Sequence, residues 1–281
     1  APWTEFAIMH CQILSHGDRF ANLIQCFSMI GSLIGVSLIA KQLGAQGRCQ
    51  IIAVVIAASI PMGILQAASV KNDYVLGFWL VCFVYFLMQL QMQPNWVLPT
   101  IAAGASLGLA FLTKPTAYLF TLPFFVWFLL SSWRRLQWQL WKVVLVMGLL
   151  SLSLNLGYYA RNIDLFGKPL GPGREIIFTS SQAEARRAAL WAQQDKGDPL
   201  QFANNIFTFS SLVSNIVRNV ALHTNVPGNQ IDSMLERGIL WLHTKLGIDV
   251  NDTRTTWKHG EFFIPPLLSY SDSLTGNPVH L

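Results

Sequence analysis

Apolar residues run in long blocks through the first 160 positions of the chain, and each block is closed by a few charged or turn-forming residues. Six such blocks, at residues 20–43, 51–68, 74–92, 96–112, 115–133 and 143–159, approach or exceed the roughly 20 apolar residues that an α-helix needs to cross a bilayer. Ahead of them, Phe6, Met9, Ile13 and Leu14 recur at helical spacing, with Thr4 as N-cap and Gly17 closing the turn, which predicts a short amphipathic helix at the interface. The apolar series stops at residues 158–172, YYARNIDLFGKPLGP, and more than a hundred mostly polar residues follow.

No later segment is long and apolar enough to span. Ser181 and Glu184 form a capping box that opens a polar helix to about Gln194, ended by Gly197, Asp198 and Pro199. Phe202, Ile206, Phe209, Val213, Ile216 and Val220 make one helical stripe, expected to rest on the membrane or the bundle. A third helix is predicted over 231–246, with His243 on its polar face, and loop-like sequence follows. The fold class predicted is an all-α polytopic membrane protein, with about six transmembrane helices followed by a mostly helical extracytoplasmic region. Its parts are an interfacial helix at 1–19, a bundle at 20–160 and an amphipathic-helix and loop region at 161–281.

Composition agrees with the block pattern. Of 281 residues 52% are hydrophobic and 12% charged, with a mean hydropathy of +0.41, whereas soluble domains carry about 25% charged residues. The net charge of +5 comes from basic residues scattered among apolar runs, so lipid headgroups are the expected partner and nucleic acid is not. Cys11, Cys26, Cys49 and Cys82 form neither a CxxC pair nor a zinc spacing. Without a leader at Ala1, and ending at Leu281 just after GNPVH, the chain reads as an internal piece of a longer polytopic protein.

Charge in the short loops orients the bundle. Lys41, Arg48, Arg134, Arg135 and Lys142 fall on one side, and Arg19, Lys71 and Lys114 on the other. The positive-inside rule puts the first group in the cytoplasm, so residues 1–19, 69–73, 113–114 and 160 onward share the extracytoplasmic side. Lys71 and Asp73 stand between two apolar blocks, where they either mark a turn or face a wet cavity. Lys114 is held at a helix boundary by Pro115. Glu5 and His10 are five apart, about 140° around a helix, which is not a one-faced metal spacing.

Four stretches carry a family resemblance: GDRFANLIQ before the first span, IPMGILQAASVKNDYV across one extracytoplasmic turn, GLAFLTKPTAY at the next, and YYARNIDLFGKPLG after the last. In order and placement, over most of residues 1–172, the chain resembles the GT-C class of polyprenyl-phosphate-sugar-dependent membrane glycosyltransferases. The likeness is greatest to the bacterial family 39 group, related to protein mannosyltransferases and to aminoarabinose transferases of lipid A. The resemblance implies transfer of a sugar from a polyprenyl-phosphate carrier to an acceptor, at the outer face of the inner membrane. It also implies a catalytic acidic residue shortly after a first helix that would precede Ala1, so this stretch alone is expected to lack activity.

Such a transfer needs a base for the acceptor hydroxyl, positive charge for the departing phosphate and a groove for the prenyl tail. Lys71, Lys114 and Arg161 lie on the predicted side for the phosphate, the arginine offering two parallel hydrogen bonds and each lysine a point charge. Asp73 would support a base or a cation, and Glu5 matches the place where relatives carry an acidic residue near the donor phosphate. Further candidates are His10, Asn162, Asp272 and His280; Asp272, Asn277 and His280 fit either a loop meeting a following helix or a plain loop. A divalent cation would serve the phosphate as well as a side chain, and the sequence leaves the cofactor open. The competing class is a transporter or flippase-like protein without catalysis. Such proteins place charges and breaks at mid-membrane depth in matching halves, whereas the charges here sit at segment ends and no repeat is visible.

Overall fold

The computed structural model describes residues 3–92, 95–170, 209–224, 229–251 and 262. Among them every regular element is an α-helix. In chain order these are α1 (Trp3–Ser15), α2 (Leu23–Gln42), α3 (Gly47–Ala58), α4 (Pro61–Ala67), α5 (Asp73–Met92), α6 (Val97–Thr113), α7 (Ala117–Leu136), α8 (Trp138–Phe166), α9 (Phe209–Thr224) and α10 (Asn229–Lys245). The chain divides into two compact units, Ala1–Ser59 with Gly63–Gly173 and Ile60–Met62 with Arg174–Leu281.

Three helices, α2, α5 and α8, are long and apolar enough to cross a membrane, and α3 with α4 makes a fourth if that bent pair counts as one span. The block at 51–68 is therefore not one straight helix. It breaks at Ser59 and Ile60 and bends by 71°, because Pro61 has no N–H to give and its ring excludes the preceding helical turn. α6 has 17 residues, about 26 Å at 1.5 Å per residue, slightly short of the hydrocarbon core. α7 has the length, but carries Pro123 inside it and Arg134 and Arg135 in its last turn.

Two boundaries also differ from the sequence pattern. Thr4 does not cap α1; it lies inside the helix and is buried. α8 starts at Trp138 and runs through Arg161 to Phe166, where Gly167 adopts the left-handed conformation at φ 67° and donates its N–H to Ile163 O at 2.8 Å. The first nine residues of the stretch that marks the end of the apolar series, 158–166, are thus the end of a helix, since helix formation needs no further apolar residues once a cap is available.

Small residues set the packing. Gly31 and Gly35 on α2 face Phe78 and Val81 of α5, and Gly104 and Gly108 on α6 face the α8 backbone at Met147 and Ser151. Both pairs have the GxxxG spacing that brings helices close in lipid, where dispersion contacts rather than water expulsion drive association. α5 is central and packs on α2, α6 and α7, while α6 is sandwiched between α5 and α8. The main core joins Phe83, Leu87 and Leu90 to Ala103, Leu107, Phe128, Leu140, Val143 and Met147. On the outside, Phe27, Ile51, Leu130 and Leu145 are 61% to 76% exposed, apolar surface that only a lipid solvent accommodates. Serines within these helices satisfy their hydroxyls on the preceding turn, Ser28 on Ile24 O at 2.7 Å and Ser32 on Ser28 O at 2.8 Å.

In the second unit α9 packs on α10 through Val217, Ala221, Ile239, Val250 and Phe262. His243 is not on the polar face. It is buried, with Nε2 paired to buried Ser214 Oγ at 2.9 Å and Nδ1 to Ile239 O at 2.9 Å. Within the expected apolar stripe, Ile216 and Val220 stay exposed, because α9 turns the face of Ser214, Val217 and Ala221 toward α10 instead. Phe202, Ile206 and the helix expected over 181–194 lie outside the described residues.

Candidate active site

One end of the bundle gathers the polar groups. Asp73 is the first residue of α5 and Lys114 the residue that ends α6, and Lys114 Nζ meets Asp73 Oδ1 at 2.5 Å. A carboxylate at a helix N-terminus and an ammonium at a C-terminus each complement the local dipole, so the turn sequences favour both positions before the two side chains meet. Both remain about one-third open to water, at 34% for Lys114 and 37% for Asp73.

Around this pair come α1, α2 and the ends of α7 and α8. Glu5 Oε1 accepts a bond from Asn72 Nδ2 at 2.7 Å, and the rings of Trp3 and Trp79 lie 6.5 Å apart, which seats the start of α1 on the start of α5. Gln25, fully buried near the start of α2, accepts from Tyr74 N at 2.8 Å and Val75 N at 3.3 Å. At the far side of α6, Asn155 of α8 donates to Gly108 O at 2.8 Å, and the hydroxyls of Tyr118 and Tyr159 touch while Phe111 stacks on Tyr118. Beneath the pair a small apolar cluster of Leu76, Ala110 and Ala117, with Trp79, Leu80 and Phe111, closes the interior.

The remaining sequence-selected residues are placed less directly. Lys71 is exposed two residues before Asp73, and Arg161 is exposed two residues after Tyr159, on the same end of α8. No hydrogen bond or ion pair joins Arg161 to Asp73 or Glu5 among the described residues. Asn162 is buried and donates to Pro169 O at 2.9 Å, tying the helix end to the chain beyond Gly167. His10 Nδ1 bonds Phe6 O at 2.6 Å within its own helix and does not engage Glu5. Asp272 and His280 lie outside the described residues. Among the described residues no group of three or more His, Cys, Asp or Glu comes together to hold a metal ion.

The opposite end of the bundle has a different character. Gln91 at the end of α5 bonds Ser131 and Ser132 near the end of α7, next to Arg134 and Arg135 and the exposed Trp133, Trp138 and Trp141. Asp73 with Lys114, and Tyr118 with Tyr159, therefore lie at one end of the bundle, and Gln91 with Ser131 and Ser132, beside Arg134 and Arg135, at the other.

Reading loops for charge overlooked Gln25, Tyr118, Asn155 and Tyr159, which are uncharged and sit inside apolar blocks. A signal was present for Gln25 and Asn155, since an amide within an apolar run must find a partner or cost several kcal/mol. The partner itself is invisible without the fold.

The family model described as dolichyl-phosphate-mannose-protein mannosyltransferase matches residues 2–158, which contain the whole array from Glu5 to Tyr118 and most of α8. No curated protein and no solved structure matches the chain.

Proposed function

This chain belongs to the dolichyl-phosphate-mannose-protein mannosyltransferase family and is a membrane glycosyltransferase of the GT-C type, and from that premise we propose that it moves a sugar from a polyprenyl-phosphate carrier to an acceptor at the periplasmic face of the bacterial inner membrane. The observation that carries the reading is the Lys114 to Asp73 pair at a lipid-flanked but water-open bundle end. In the transfer, a bond forms between the acceptor oxygen and the anomeric carbon as the bond from that carbon to the phosphate oxygen breaks. The acceptor proton goes to a base, and polyprenyl phosphate leaves with the electron pair.

Each residue has a part in this reading. Lys114, steered by Asp73, and Lys71 and Arg161 place positive charge where the phosphate develops its negative charge, in a site less screened than bulk water. Because the Asp73 carboxylate is engaged with the ammonium, its part is to orient Lys114. Glu5, whose Oε1 accepts the neutral amide of Asn72, is the carboxylate better placed to assist proton removal from the acceptor. The lipid-facing surface beside the pair gives the prenyl chain a route from the bilayer without desolvating the phosphate.

Full-length enzyme in nanodiscs, supplied with polyprenyl-phosphate-linked sugar and a candidate glycan, lipid or protein acceptor, tests the reading. Lys114→Ala and Arg161→Ala are each expected to cut transfer by about a hundredfold or more, the scale of losing a group that stabilises transition-state charge, with expression and insertion unchanged. Normal turnover in both variants would withdraw the phosphate assignment, and absence of transfer by the wild-type protein with every acceptor class would withdraw the function.

A further inference from the structure

We propose that Gln25 is a positioning residue for the charged site: from α2 its side-chain amide caps the N-terminus of α5 and so holds Asp73, and through Asp73 the ammonium of Lys114. This rests on the reading of Asp73 and Lys114 as part of the transfer site. The first N–H groups of a helix have no partner within that helix and ordinarily take one from a side chain at their own N-cap. In α5 they take it from another helix. Gln25 Oε1 accepts from Tyr74 N at 2.8 Å and from Val75 N at 3.3 Å, while Gln25 itself is fully buried.

The consequence for Asp73 is geometric. Its backbone is the first residue of α5 and adjoins Tyr74, so the bonds that fix Tyr74 N and Val75 N fix the point from which the Asp73 carboxylate reaches Lys114 Nζ at 2.5 Å. A second observation singles out the same side chain: among the described residues, buried Gln25 Nε2 has no hydrogen-bond partner. A fully buried amide that leaves its donor unpaired stays in place because of what its oxygen does. The helix around it gives no reason for an amide there, since the neighbours Leu23, Ile24, Cys26 and Phe27 belong to an apolar run.

Two variants separate positioning from plain packing. Gln25→Met keeps the volume and removes the acceptor; Gln25→Glu keeps a carboxyl oxygen to accept both bonds. Hydrogen exchange at single-amide resolution, on the full chain in nanodiscs, reads the cap directly. In Gln25→Met the Tyr74 and Val75 amides are expected to exchange about tenfold faster, the scale of one lost net hydrogen bond, and Gln25→Glu is expected to rescue most of that protection. Transfer from polyprenyl-phosphate-linked sugar should fall in Gln25→Met and recover in Gln25→Glu. In an Asp73→Asn background Gln25→Met should add little, because both act through one carboxylate. Unchanged exchange at Tyr74 and Val75 in Gln25→Met would overturn the cap, and a transfer loss of equal size in the Asp73→Asn background would overturn the route through Asp73. If wild-type protein transferred no sugar, the proposed function would fail while the exchange result still decided the cap.

Discussion

Replacing Gly104 by alanine tests the close approach of α6 and α8, on which the spacing between the Lys114 and Tyr159 ends of those helices depends. A Cβ at Gly104 would stand 2.9 Å from Met147 Cα, 3.2 Å from Met147 O and 3.4 Å from Leu150 Cβ. The nearest two atoms are backbone, so relief requires α8 to move as a body rather than one side chain to swing. Overpacking of a tight interior costs about 1 to 3 kcal/mol, and backbone neighbours put Gly104 in the upper half of that range. Against it stands a gain of about 0.8 to 1.0 kcal/mol from replacing glycine in a helix interior, leaving a net loss of about 1 to 2 kcal/mol. Gly148 on α8 supplies the reference, because a Cβ there meets nothing within 4 Å. Gly148→Ala collects the propensity gain without the clash, so the difference between the variants isolates the steric term at about 2 to 3 kcal/mol. Unfolding in mixed micelles with increasing sodium dodecyl sulfate, followed by the fluorescence of the ten tryptophans, gives both free energies. Gly104→Ala is also expected to lower transfer in the full-length enzyme, since displacing α8 carries Tyr159 and Arg161 away from Lys114. Equal or greater stability of Gly104→Ala relative to Gly148→Ala would refute the backbone contact.

Two further outcomes are expected. In a background free of the four native cysteines, single cysteines at positions 71 and 114 should react with an impermeant thiol reagent from the periplasmic side and one at position 135 should not; labelling of position 135 in intact spheroplasts would reverse the orientation. Asp73→Asn and Lys114→Met should each change unfolding stability by no more than about 1 kcal/mol, as for other water-exposed pairs, while Lys114→Met lowers transfer strongly; a double-mutant coupling of several kcal/mol would mean the pair is structural instead.

How much was legible beforehand varied with the range of the interaction involved. The all-α membrane class follows from sequence because a bilayer requires every backbone group to be satisfied within its own segment, so apolar blocks of sufficient length have few options besides helices. The charged turns at Lys71, Asp73 and Lys114 were visible for the same reason, since charge in lipid is driven to segment ends. Helix ends were harder. Pro61 in the sequence already disfavours an unbroken helix over 51–68, whereas the 71° size of the bend is seen only in the structure. Gly167 stops α8 after Phe166, beyond the last apolar block, by a left-handed backbone conformation that hydropathy does not register.

What the chain determined by itself was therefore local: which stretches are helical and which turns between them carry charge. Only the tertiary structure decided the partners. Gln25 finds Tyr74 and Val75 across 49 and 50 positions, and Lys114 finds Asp73 across 41. His243 turns inward to Ser214 although its helix pattern reads it as polar-faced. The physical reason is the same in each case. Periodicity records which side of a helix is apolar, whereas a hydrogen bond or ion pair between helices depends on which two faces meet and at what register, and that is settled by close packing at small residues distributed over the whole bundle.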